Sequence, residues 1–149
     1  MNGLLFCYLK VTNTETVKIA DVGIAKREKE IVGTVAGTSL YMAPEVWASK
    51  RYDSTADMYS FGITMWEMWY GEIAFFECQQ LTLLDFVKKV NEGLRPTHVH
   101  TCLNPPETWI RTMISCWAAE PSKRLDATNC HENLKSLLLC DAAPQMAKP

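Results

Sequence analysis

The sequence has no apolar run long enough to cross a bilayer. Its most apolar stretch, 63–70, is interrupted by Glu67, and a spanning helix needs roughly 20 such residues, so no membrane association is expected. A strong charge of either sign is also missing: 15 basic against 17 acidic residues give a formal net charge of -2. A nucleic-acid partner would call for a basic footprint, so none is expected. With 48% apolar and 21% charged residues, the composition lacks the low hydrophobicity and high net charge of disordered chains and suits one domain with a core. Residues 1–10 contain a short apolar run with no basic segment ahead and no small-residue cleavage site after it, so no secretory signal is expected. The six cysteines (Cys7, Cys78, Cys102, Cys116, Cys130 and Cys140) include no C-x-x-C pair, and the 149-residue chain exceeds the small secreted domains that depend on disulfides. They are expected to be reduced thiols, several facing the core, in a soluble cytoplasmic protein.

What is present reads as a short β segment followed by helices. Residues 9–12 and 16–20 are rich in Val, Ile and Thr and flank Asn13-Thr14-Glu15, which predicts a β-hairpin. From Gly23 to about Leu40 the pattern is that of a loop, long enough to suggest a functional one. Pro44 suits the start of a short helix over 45–50. Asp53 or Ser54 can cap a longer helix over 55–70 that Gly71 ends. That helix carries Met58, Phe61, Ile63, Met65, Trp66, Met68 and Trp69 on nearly every face, which predicts a central position in the domain. A helix over 81–91 places Leu84, Val87 and Val90 on one stripe, and another opened by Pro106 gathers Ile110, Met113, Ile114 and Trp117. Asp126 can cap a last helix carrying Cys130, Leu134, Leu137 and Leu138. The expected fold class is mainly α with a small β-hairpin (α+β), one domain over 1–139 followed by a loose tail over 140–149.

Four motifs stand in order along this sketch. Val17-Lys18-Ile19-Ala20-Asp21-Val22-Gly23 resembles the strand and D-F-G motif of protein kinases, and Gly37-Thr38-Ser39-Leu40-Tyr41-Met42-Ala43-Pro44-Glu45 resembles the end of a kinase activation segment. Asp57-Met58-Tyr59-Ser60-Phe61-Gly62 is similar to the D-x-W/Y-S-x-G of the buried kinase helix. Cys116-Trp117, followed by Glu120-Pro121-Ser122-Lys123-Arg124, is similar to the C-W-x-x-x-P-x-x-R of the closing segments. The chain thus resembles a protein kinase C-terminal lobe from about its β7 strand onward. Its G-T-x-x-Y-M-A-P-E is similar to serine/threonine kinases and its Cys-Trp pair to tyrosine and tyrosine-kinase-like ones.

The resemblance implies roles for particular residues. Asp21, followed by the flexible Gly23, would be the cofactor-binding carboxylate that holds magnesium on ATP phosphates. Val22 departs from the family's Phe and fills less of the pocket that sets active and inactive positions. Thr38 would seat the substrate, with a plain turn-capping hydroxyl as the alternative. Thr34 is a candidate phosphorylation site. Glu45 and Arg124 would meet as a buried ion pair, and Asp57 would hold the catalytic-loop backbone. His98-x-His100-x-Cys102 has neither a second cluster nor zinc-finger spacing, so no metal site is expected there.

Kinase chemistry also needs a Gly-rich phosphate loop, a strand lysine, its helix glutamate, and a catalytic aspartate with its asparagine. The chain carries no G-x-G-x-x-G, no V-A-I-K-like strand and no H-R-D, and Asn2-Gly3-Leu4-Leu5 lies several residues too early to be the family's N-x-L-L. The isolated chain is therefore expected to be inactive. The expected function is part of a protein kinase, transferring the ATP γ-phosphoryl group to a protein hydroxyl (Ser/Thr ahead of Tyr) once an upstream lobe and catalytic loop complete it. The alternatives are a catalytically dead binding or scaffold module that engages a partner protein or kinase domain, and a fragment without function.

Overall fold

The computed structural model describes residues 39–48, 51–97, 99 and 103–141. The hairpin expected over 9–20 and the loop after it lie outside the described residues. Among the described residues the chain is helical, without strands. The helices are α1 (Pro44–Trp47), α2 (Thr55–Tyr70), α3 (Leu83–Asn91), α4 (Glu107–Cys116) and α5 (Ala127–Asp141), with 3-10 turns at Ser39–Tyr41, Phe76–Cys78 and Pro121–Lys123.

Local chemistry sets the helix ends. Before α2 it is Asp53 rather than Ser54 that caps, because its Oδ1 accepts from the Thr55 N–H at 2.9 Å whereas Ser54 makes no side-chain cap bond. Gly71 ends the helix at φ 67°, the left-handed region that glycine enters without Cβ penalty, and its N–H reaches the Glu67 carbonyl at 2.8 Å. α3 begins two residues later than the periodicity predicts. The reason is Thr82, whose hydroxyl accepts from the Asp85 N–H at 3.2 Å and donates to its carboxylate at 2.7 Å. Asp126 caps α5 through the Asn129 N–H at 2.8 Å. α1 is only one turn, shorter than the helix expected over 45–50.

α2 packs on α4, α4 on α5, and α1 on α3. The α2–α4 crossing is close because Gly62 presents no side chain there. A Cβ at that position would lie 3.1 Å from Cys116 Cβ, 3.2 Å from the Met113 carbonyl oxygen and 3.2 Å from Trp117 Cβ. α2 buries Ala56, Tyr59, Ser60, Gly62, Ile63, Met65, Trp66 and Tyr70, but Met68 is exposed, so the helix is central without being enclosed on every side. Other apolar stripes are corrected in the same way. On α3 the buried residues are Phe86 and Val90. Leu84, two residues from Phe86, is turned about 200° round the helix and stands in solvent. Ile114 on α4 and Leu138 on α5 are also exposed, while Thr112, Met113, Cys116 and Cys130 face inward.

Tyr59 sits at the centre of this core, fully buried, with the Arg95 guanidinium 5.0 Å and the Arg124 guanidinium 5.2 Å from its ring centroid. Burial pushes its phenol above the usual value against the pull of the two cations. The hydroxyl has no hydrogen-bond partner among the described residues. Tyr59→Phe removes this desolvated oxygen and leaves the ring in place. It is expected to keep or raise the melting temperature, because an unsatisfied buried hydroxyl costs about 1–3 kcal/mol. A clear fall in a calorimetric melt would contradict this.

Candidate functional site

The described residues place the end of the segment 37–45 against α2 and the α4–α5 connection. Pro44 and Glu45 open α1 after extended Ala43, which puts the Glu45 carboxylate in the first helical turn. Arg124 follows the Pro121–Lys123 turn in extended backbone. These two residues, 79 positions apart, meet in a two-pronged pair: Arg124 Nη1 donates to Glu45 Oε1 at 2.6 Å and Nη2 to Oε2 at 2.9 Å. The Arg124 side chain is 0% exposed and that of Glu45 10%. The remaining guanidinium protons are also used. Nε donates to the Ala118 carbonyl at 2.9 Å, and Nη1 donates to that of Thr55 at 3.0 Å. One side chain therefore joins α1, the start of α2 and the α4–α5 connection.

A second attachment lies farther along α2. Glu67, which interrupts the apolar run in the sequence, accepts the Tyr41 hydroxyl on Oε2 at 2.8 Å and the Ala74 N–H on Oε1 at 2.8 Å. Ser60 donates to the Tyr41 carbonyl at 2.8 Å. Arg95 completes the frame beneath, donating to the carbonyls of Trp117 at 3.1 Å and Leu94 at 2.7 Å, with burial holding its guanidinium below the usual value. Sequence reasoning missed Glu67, Tyr59 and Arg95. For Glu67 the signal was present, since a carboxylate inside an apolar helix has to be paired. Arg95 gave none beyond its place before Pro96.

Asp57 lies half-buried in the first turn of α2. Asp21, Gly23, Thr34 and Thr38, and the pair His98 and His100 with Cys102, lie outside the described residues. Among the described residues no three His, Cys, Asp or Glu side chains gather as a metal site, and no helix is long and apolar enough to cross a membrane.

A buried glutamate–arginine pair thus rivets the segment end to this helical platform. A family model described as protein tyrosine and serine/threonine kinase matches residues 9–134, and the chain belongs to that family. It is 32% identical to a dual serine/threonine and tyrosine protein kinase of Takifugu rubripes, over 96% of this chain and 16% of that protein. It is 34% identical to a probable serine/threonine-protein kinase drkA of Dictyostelium discoideum, over 87% of this chain and 20% of that protein. With a dual serine/threonine and tyrosine protein kinase of Strongylocentrotus purpuratus it shares 36% identity over 72% of its length and 11% of the relative's. The chain thus spans at most a fifth of the length of each of these relatives.

Proposed function

We propose that this chain is the substrate-facing part of a cytoplasmic protein kinase that transfers the γ-phosphoryl group of ATP to a protein hydroxyl, serine or threonine ahead of tyrosine. The observation that carries the reading is the two-pronged Glu45–Arg124 pair, which fixes the end of the activation-segment-like stretch on a rigid helical base. Phosphoryl transfer depends on positioning more than on covalent chemistry by the protein, and a pinned segment end is what a protein substrate would be positioned against. In this reading Asp21, with Gly23 beside it, holds magnesium, for which a carboxylate is a suitable donor. Mg-ATP supplies the phosphoryl donor when bound. Thr38 seats the acceptor side chain, and Thr34 is a phosphorylation site that orders the loop only where an arginine stands opposite. The base and the lysine that cradles the phosphates come from residues upstream of the stretch 9–134.

One observation favours a second reading, a non-catalytic binding module. Ile73, Phe76, Leu83 and Leu84 are exposed together on the α2–α3 connection and α3. Most of these residues border a cavity of about 240 Å³ that also takes in Leu40, Cys78 and Phe86, and apolar patches of this kind serve protein contacts.

A single experiment separates the two. The endogenous polypeptide is captured through residues 126–149, weighed intact, and incubated with radiolabelled Mg-ATP and a mixed protein acceptor. The expected result is a product heavier than 16.9 kDa that labels serine and threonine. An Asp21→Asn form should lose activity on the order of 100-fold, the scale for removing one preorganised charge-stabilising group. Captured polypeptide that retains a partner protein yet never transfers label would overturn the catalytic reading in favour of the binding one.

A further inference from the structure

Cys116 closes α4 and Cys130 lies in the first turn of α5, and the two sulfurs are 3.7 Å apart. Both residues are buried, at 0% and 3% exposure, and both are free thiols. A separation of 3.7 Å is van der Waals contact, and a disulfide bond of about 2.05 Å needs the sulfurs to close by less than about 2 Å. Phosphotransfer makes no use of this pair.

We propose that Cys116 and Cys130 form an oxidisable dithiol that a peroxide converts to a reversible disulfide tying α4 to α5. In the first step the Cys130 thiolate attacks one oxygen of hydrogen peroxide. The O–O bond breaks, hydroxide departs and takes up a proton as water, and Cys130 becomes a sulfenic acid. In the second, the Cys116 sulfur attacks the Cys130 sulfur, the S–O bond breaks, and the hydroxyl leaves as water with the Cys116 proton. Two thiols and one peroxide give one disulfide and two waters, the sulfurs losing two electrons and the peroxide gaining them.

The surroundings suit this order of events. Residues 126–129, immediately before Cys130, are all exposed, and Cys130 stands at the start of a 15-residue helix. That position favours a thiolate. The contact with Cys116 also holds the Cys130 thiol below its usual value, against burial and the Asp126 carboxylate, and the same contact together with burial pushes Cys116 up and keeps it protonated until the second step. The chain between the two cysteines carries Trp117 and Arg124, so the disulfide would brace the connection on which the Glu45 pair depends.

The test is peroxide titration of the unaltered chain under native conditions, followed by a non-reducing peptide map. Cys116 and Cys130 peptides are expected to appear joined at doses that leave the circular dichroism unchanged. Dithiothreitol should separate them, and the oxidised chain should melt higher than the reduced one. Cys116→Ala removes the resolving thiol, so Cys130 in that variant should advance to sulfinic acid. Three results would overturn the proposal: sulfinic acid at Cys130 beside an untouched Cys116 in the unaltered chain, links confined to Cys7, Cys78, Cys102 or Cys140, or no reaction at either thiol until the chain unfolds. The map of the unaltered chain decides even where a variant fails to fold.

Discussion

Arg124→Ala should lower the melting temperature on the order of 10 °C, the shift that corresponds to a loss of about 3–5 kcal/mol in a chain of this length. The magnitude comes from what is left behind rather than from the attraction lost. Without the guanidinium, the Glu45 carboxylate, only 10% exposed beside Arg124, loses both prongs of its partner, and the Ala118 and Thr55 carbonyls lose the bonds that Arg124 donates. Each orphaned buried group carries its own desolvation penalty. Arg124→Lys should recover only a small part of the loss, because a single ammonium cannot reach both carboxylate oxygens and two carbonyls in the planar pattern that the guanidinium supplies. Combining Arg124→Ala with Glu45→Ala should cost less than the two separate losses added together, since the second change removes the stranded charge. A calorimetric melt of Arg124→Ala that matched the unaltered chain would show that the pair does not hold the segment end.

Gly62→Ala should also destabilise, and here the sign is the diagnostic. In the middle of a helix, alanine normally gains up to about 1 kcal/mol over glycine. At position 62 the added methyl would meet Cys116 Cβ at 3.1 Å and the Met113 carbonyl oxygen and Trp117 Cβ at 3.2 Å. None of these is the free end of a flexible side chain, so α4 has to shift as a body. Overpacking of this kind costs about 1–3 kcal/mol, which outweighs the helical gain. Chemical denaturation would show a lower midpoint with an unchanged slope. A higher midpoint would mean that α2 and α4 do not cross as closely as described.

The difference between these two positions shows how far the sequence could be read. Helix existence was legible because Pro44, Asp53, Gly71, Pro106 and Asp126 punctuate the chain with groups whose backbone preferences are local. The exact start of α3 was not, since Leu81 continues the apolar pattern and only the Thr82 side chain stops it. Faces were harder. Periodicity finds a stripe but not its partner: Leu84, Ile114 and Leu138 stand exposed, whereas Phe86 and Thr112, outside the expected stripes, are buried along with Cys130, which the expected stripe included. Glu45 and Arg124 were paired through family resemblance alone, because nothing local links residues 79 positions apart. The cations over Tyr59 come from the segments after α3 and before α5, and the thiol contact comes from α4 and α5; no spacing rule along the sequence encodes such meetings.

The segment end is fastened to α2 at two widely spaced points, with Ser60 holding the Tyr41 carbonyl between them. Near the start of the helix, Arg124 links Glu45 to the Thr55 carbonyl, and twelve residues on Glu67 holds Tyr41. Along the axis these points are about 18 Å apart. A single fastening would leave residues 41–45 free to swivel, whereas two points on a stiff rod define a direction. Whatever the segment presents to a partner is therefore aimed by α2, and it can be re-aimed only by letting go at one end.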